Sequence, residues 1–259
     1  MNLDLSKVSF SCNDIRRKII LPTKMTNQLA EDIGIMIGDG CLSIYKDKKR
    51  VNYDISCIGN LYDEKSYYES YIKNLKLCLF NLKFGLIESK RDSTCILRAH
   101  SKGIIEFYSK SIGLPIGKKD RIGIPSIIFS KRSFLISCIR GIGDSDFSLT
   151  FKRKDSEIPY YPVIKIISKS RNLIGDLNCG LKCLGFKPTV SYDVCTFDKR
   201  TKNHYISHSL DLNGKKQVER WMELIKFNNT KNLIKYRFWK NNGVGPSKHH
   251  LLEILNKSL

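Results

Sequence analysis

Apolar positions along this chain alternate between a period of two over short segments and a helical period over longer ones, and the whole succession occurs twice. In the first half, residues 41–46 and 51–58 read as strands joined by the polar turn Asp47-Lys48-Lys49-Arg50. Asp63 then suits a helix N-cap, and Tyr68, Ile72, Leu75 and Leu79 form the apolar stripe of the helix that follows. Strands at 86–89 and 94–100 and a short helix over 103–111 complete that half. The second half repeats the order with strands at 147–153 and 162–168, then a helix carrying Leu173, Leu177, Leu181 and Leu184 on one face and stopping at Gly185. Strands at 189–197 and 205–212 precede a helix over about 215–227. A shared lead-in, Arg17-Lys18-Ile19 to Pro22 and Arg121-Ile122 to Pro125, stands ahead of each half.

Between lead-in and strands lies the most informative pair of segments, Ile33-Gly34-Ile35-Met36-Ile37-Gly38-Asp39-Gly40 and Ile139-Arg140-Gly141-Ile142-Gly143-Asp144-Ser145-Asp146. Each reads as an apolar helix running into an aspartate. Laid over one another they match Gly34 with Gly141 and Asp39 with Asp146, and small residues recur at Ala30, Gly34, Gly38 and at Ser137, Gly141, Ser145. A step of four puts each set on one helix face. Glycine inside a helix costs roughly 1 kcal/mol against alanine, so the repetition needs a reason. A ridge of small side chains lets two helices approach more closely than the usual ~8–10 Å, and a duplicated ridge predicts that the two copies pack on each other. That contact brings Asp39 and Asp146 together at two partly negative helix ends, an arrangement that a divalent cation relieves.

The predicted fold class is α+β: two α-β-β-α-β-β-α units related by a pseudo-twofold, with two antiparallel sheets forming a saddle around a central two-helix seam. Residues 1–114 are read as the first repeat with its lead-in, and 115–259 as connector, second repeat and added C-terminal helices. The basic stretch 113–132 is the connector, broken by Pro115, Gly117 and Pro125.

At these two motifs the chain resembles the LAGLIDADG homing endonucleases, in the single-chain, two-motif form of the archaeal intron-encoded type. The first copy departs from the family pattern at Ile37, where an acid is usual, and keeps Gly38-Asp39-Gly40; the second keeps both acids, Asp144 and Asp146, but has Phe147 where glycine is usual. A tight or left-handed helix exit is harder for a residue with a β-carbon, so Phe147 is the main departure. The resemblance implies hydrolysis of one phosphodiester in each strand of a DNA duplex with Mg²⁺, with Mn²⁺ substituting and Ca²⁺ binding without supporting cleavage. It implies Asp39 and Asp146 as metal ligands, with the carbonyls of Gly38 and Ser145 as further oxygen donors of the hard kind magnesium takes. Lys169, at the end of the second strand of the second half, is then the peripheral active-site cation, and Asn60 its counterpart holding water. An RNA maturase and a non-cleaving DNA-binding regulator use the same saddle but need no metal-binding acids.

Charge agrees with a polyanionic partner. Forty-five Lys and Arg against twenty-five Asp and Glu leave a formal charge of +20, spread over the length with no basic tail. Strand alternation nominates Ser43, Tyr45, Arg50, Asn52, Asp54, Arg98, Thr150, Lys152, Lys165, Tyr192 and Arg200 as DNA contacts on the open sheet faces. The expected partner is a double-stranded DNA target met by a monomer. No apolar run approaches the ~20 residues of a membrane helix, and the polar start Met1-Asn2-Leu3-Asp4 lacks a signal-peptide core, so a cytoplasmic protein without a membrane partner is expected. Nine cysteines with no Cys-x-x-Cys pair read as buried reduced thiols.

Overall fold

Thr26 starts the first motif helix: its hydroxyl accepts the Leu29 N–H at 3.1 Å and so satisfies one of the unpaired donors of α2 (Asn27–Ile37). α1 (Cys12–Arg16) lies ahead of it, closed by a reciprocal cap between Ser11 and Asp14. The computed structural model describes residues 1–47, 50–155, 157–198 and 202–257. Every residue of α2 from Leu29 to Ile37 is buried, and α5 (Arg132–Ser145) is buried over most of its length. Helices hidden nearly all round belong at the centre of a molecule, and these two form its most extensive contact between helices.

Each motif helix is followed by a four-stranded antiparallel sheet. β1 (Gly40–Asp47), β2 (Arg50–Asn60), β3 (Gly85–Ser89) and β4 (Thr94–His100) lie in the order β1-β2-β4-β3. β5 (Ser148–Lys152), β6 (Tyr161–Ser168), β7 (Thr189–Asp198) and β8 (Asn203–Asn213) repeat that order as β5-β6-β8-β7. Between the hairpins of the first half runs α3 (Lys73–Phe80), continuous with a π-helical turn at Tyr67–Ile72, and after them α4 (Lys102–Glu106), continued by a second π turn at Phe107–Ile112. α6 (Arg171–Cys183) and α7 (Lys215–Leu224) hold the matching places in the second half, against β6 and β8. α8 (Thr230–Asn242) and α9 (Lys248–Lys257) are additions at the C-terminus. One apolar cluster extends from Ile19 through both motif helices to Trp239, so the two halves share a core. Among the described residues no helix is long and apolar enough to cross a membrane.

The α+β class and the doubled order of elements are as expected, and three local readings change. Asp63 does not cap the first inter-hairpin helix; the turn ahead of it is closed by Asn60, its Oδ1 accepting the Tyr62 and Asp63 N–H groups, while Glu64 accepts the Asn60 N–H at 2.8 Å. Asp63 pairs instead with Lys231 of α8 at 2.9 Å. Phe147 brings no strained exit: neither it nor Gly40 has a positive φ, and its ring is buried with its centroid 5.2 Å from that of Trp221. Of the nine cysteines, all free, only Cys57, Cys95 and Cys138 are buried; Cys41 is half-buried and the other five are exposed, so the expectation of buried thiols fails for six.

Candidate active site and nucleic-acid interface

The seam is as close as a missing β-carbon permits. A Cβ on Gly34 would stand 2.1 Å from the Cys138 carbonyl oxygen, and one on Gly141 would stand 2.1 Å from the Glu31 carbonyl oxygen. Each glycine receives backbone of the partner helix, and the reciprocity is the pseudo-twofold expressed at two residues. One turn further on, the space beside Gly38 is filled by Ser145, whose Oγ donates back to the Gly141 and Ile142 carbonyls at 2.9 and 3.2 Å. The Asp146 carboxyl carbon would lie 3.4 Å from a Gly38 Cβ, so the acid of one half stands against the helix end of the other.

Asp39 and Asp146 are therefore neighbours, and their protonation records it. The Asp39 carboxyl is pushed up to about 8, first by desolvation and then by the charge of Asp146, with Glu64 adding to the rise. Asp146 is pushed up to about 6, again mainly by desolvation, with Glu64 raising and Lys119 lowering it. Both keep a path to solvent, Asp39 half-buried and Asp146 exposed at its rim. Tyr68 donates its hydroxyl to Asp39 Oδ2 at 2.6 Å and fixes the carboxylate's orientation. Lys119, half-buried in the connector, donates to the Ile37 carbonyl at 2.8 Å and also to that of Gly38.

The arrangement fits a hard cation. Two like-charged carboxylates stand beside a helix C-terminus, and an ammonium group already rests on its last carbonyls. Among the described residues no group of three His, Cys, Asp or Glu side chains is arranged around a metal position. A two-carboxylate set is what Mg²⁺ uses when waters and substrate phosphates complete its shell.

Other nominated residues fall in different places. Lys169 is exposed in the turn between β6 and α6, and Asn60 spends its side-chain oxygen on the turn described above. Asp144 is fully buried, where its carboxylate accepts the N–H groups of Asn228 and Asn229 at 2.9 and 3.0 Å. It thereby ties the start of α8 to the seam, and α8 brings Lys231 to within 3.8 Å of Glu64 and places Lys235 nearby, pushed down to about 8 by desolvation and then by Lys231. Tyr68, Glu64, Lys119, Lys231 and Lys235 were not singled out from sequence as site residues. Tyr68 reads as one more apolar stripe position, and Lys119 is one cation among several in Lys118-Lys119-Asp120-Arg121.

Register settles which strand residues share the open faces. Ser43 pairs with Asp54 and Tyr45 with Asn52, while Asp54 faces His100 and Ser56 faces Arg98 on the next strand. The opposite set, Leu42, Ile55, Cys57 and Leu97, is buried under the helices. In the second sheet Ser148 pairs with Lys165, Thr150 with Val163 and Lys152 with Tyr161, and Lys165 faces Asp211. Arg50 ends the first hairpin across from Asp47. On each face an acid gathers basic side chains: Asp54 holds Arg98 at 2.9 Å and lies 3.5 Å from His100, and Asp211 holds Lys152 at 3.2 Å and Lys165 at 3.6 Å. Tyr192 leaves the list. It lies on the helix side of its sheet, beneath the Arg171 guanidinium at 4.5 Å and next to buried His208. A register shift between Ser191 and Val194, with Asp193 at φ +56°, reverses which residues face outward beyond it. Arg200 lies outside the described residues.

The architecture is that of the LAGLIDADG homing endonucleases. The chain is similar to I-DmoI in complex with DNA and Ca, with a TM-score of 0.54 at 19% identity over 77% of this chain and 88% of that one. It is similar to the LAGLIDADG homing endonuclease I-GzeII in complex with its DNA target, with a TM-score of 0.53 at 13% identity over 85% and 90% of the two chains. For the meganuclease I-SmaMI bound to uncleavable DNA the values are 0.52, 12%, 88% and 91%. No protein-family model and no curated protein matches the sequence. At such identities the likeness establishes the fold, and chemistry has to be argued from the residues themselves.

Proposed function

We propose that this chain is a site-specific endonuclease that hydrolyses one phosphodiester in each strand of a DNA duplex, acting as a monomer with divalent metal ions held by Asp39 and Asp146. The observation that carries the reading is the meeting of those two carboxylates, one from each half, at the end of a glycine-packed seam flanked by two sheets with open polar faces. A pseudo-twofold protein site suits a duplex, whose strands are related by a local twofold, so each acid serves one strand. When bound, Mg²⁺ supplies charge stabilisation at phosphorus and at the departing 3′ oxygen. The chain's own part is to hold and aim. Tyr68 fixes the Asp39 carboxylate, the carbonyls of Gly38 and Ser145 would offer further oxygens, and Lys169 and Asn60 are assigned peripheral roles on the resemblance alone. Complexes of I-DmoI with DNA and Ca, with DNA and Mn, and of a variant with Mg support a divalent cofactor of this kind.

The sheets are the reading surface. A major groove about 12 Å wide admits a two-stranded ribbon, and the outward residues of both hairpins have the chemistry to meet base edges and phosphates. Ser43, Tyr45, Asn52 and Thr150 offer hydroxyl and amide groups; Arg50, Arg98, Lys152 and Lys165 offer cations. Ile58, Ile87 and Ile167, exposed on the same faces, add apolar contacts of the sort that thymine methyls take.

Selection of cleaved sites from a random duplex library with Mg²⁺ tests the proposal and yields the target. Asp39→Asn and Asp146→Asn are expected to retain duplex binding and slow cleavage about a hundredfold or more, the scale on which one lost electrostatic stabiliser slows a reaction. Either variant cutting at the wild-type rate would overturn the metal assignment.

A further inference from the structure

The Gly38 carbonyl, nominated above as a metal ligand, already has a partner. Lys119 reaches it from the connector, and its ammonium donates to the Ile37 carbonyl at 2.8 Å and to that of Gly38. Desolvation depresses the lysine's basicity, and the charges of Asp146 and Asp39 work against that by favouring the ammonium. Nor is the lysine a free surface side chain. Gly117 N–H donates to the Leu42 carbonyl of β1 at 2.8 Å, Ile122 N–H donates to the Lys119 carbonyl at 3.1 Å, and Ile122 and Ile124 are buried in the shared core. The connector is thus fastened on both sides of Lys119, and its ammonium is delivered to one place.

That place is where a small cation is needed. The last carbonyls of a helix lack intrahelical donors and carry partial negative charge, and here two carboxylates add to it. An ammonium with three donors and no acceptor answers both demands. A divalent ion held by the same two carboxylates and the same carbonyl would stand in contact with that ammonium, and two cations cannot share one set of oxygens without strong repulsion.

We infer that Lys119 is the resident cation of the two-aspartate site in the metal-free protein, and that a divalent ion enters by displacing its ammonium from the Ile37 and Gly38 carbonyls beside the two carboxylates. The inference rests on the proposed reading of Asp39 and Asp146 as metal ligands. It gives Lys119 a positioning role: the acids are neutralised before the metal arrives as well as after, and metal affinity is set lower than the carboxylates alone would make it.

The test uses the full chain without DNA and Tb³⁺, a hard, oxygen-seeking ion whose luminescence is sensitised by tyrosine; Tyr68, 2.6 Å from Asp39, is the built-in donor. Lys119→Met is expected to lower the half-saturating Tb³⁺ concentration about tenfold, as loss of a competing charge-assisted contact would. Lys118→Met removes the same net charge from an exposed neighbour and is expected to leave it unchanged. Asp39→Asn in the Lys119→Met background is expected to abolish the signal. Should Lys119→Met fail to fold, Lys119→Gln, which keeps an amide donor for Gly38 without the charge, must give the same tightening. Equal half-saturation in wild type and the Lys119 variants, with the signal still lost on Asp39→Asn, overturns the inference and leaves the metal site standing. Absence of Tb³⁺ binding in every variant overturns both.

Discussion

Asp39 and Asp144 both have carboxyls raised to about 8, mainly by desolvation, yet their partners separate their roles. Asp144 is surrounded by donors from Asn228 and Asn229 and ties one element to another; Asp39 has a single phenol hydroxyl, a like-charged neighbour and a path to solvent. The difference sets up a pH experiment. Because the folded value of Asp39 lies above its ordinary 3.8, the folded chain keeps a proton over an interval in which the unfolded chain has released it. Stability from this group is complete below 3.8 and is lost as pH rises through about 8. Asparagine imitates the protonated acid at every pH. In metal-free buffer Asp39→Asn should therefore melt with the wild type near pH 3.8 and above it once the pH passes about 8. Added Mg²⁺ should narrow that gap, because only the wild-type site gains a ligand. Melting curves that stay parallel across the range would remove the claim that Asp39 is held against its charge.

At the scale of elements, α2 and α5 stand or fall on two glycines. The atoms that a β-carbon would strike are backbone carbonyls of Cys138 and Glu31, which cannot swing aside as a flexible side-chain tip can. Gly34→Leu or Gly141→Leu should force the helices apart and cost about 3 kcal/mol or more, read as a drop in the urea midpoint; an unchanged midpoint would refute close packing. This element pair was legible in the sequence because the need for small residues repeats at a helical step, and the sheets because their alternation repeats with it. Other features left no local trace. Nothing in a basic connector without periodicity marks Lys119 apart from Lys118, since its role comes from where Gly117 and Ile122 are fastened. Alternation alone makes Tyr192 an outward strand residue, whereas the irregularity at Asp193 and the packing of Arg171 from α6 put it on the helix side. Asp63 is an acceptable cap by composition, and its engagement by Lys231, far along the chain, leaves no trace in the local sequence.

Over the whole molecule, a formal charge of +20 is locally offset on the two open faces by Asp54 and Asp211. Asp54 and Asp211 sit on non-equivalent strands of the two sheets, yet Asp54 holds Arg98, and Asp211 holds Lys152 and Lys165, cations that would otherwise extend toward a polyanion. Asp54 is buried and Asp211 half-buried while their Arg and Lys partners reach solvent, so the effect of these pairs is sought in binding. In the free chain they restrain the very cations expected to meet phosphates, which limits attachment to arbitrary sequence. Replacing either acid with asparagine releases its bases without changing side-chain size. On the proposed reading, Asp54→Asn and Asp211→Asn should each tighten binding to a random-sequence duplex. Each should also steepen the plot of log K against log salt by about 0.9, the increment for one more neutralised phosphate. Because the two acids lie on different sheets and share no partner, the double variant should show the sum of both changes. Fluorescence anisotropy across a salt series reads slope and affinity together. If both single variants keep the wild-type slope, the open faces are not where the duplex lies, and the saddle loses its assignment as the binding surface.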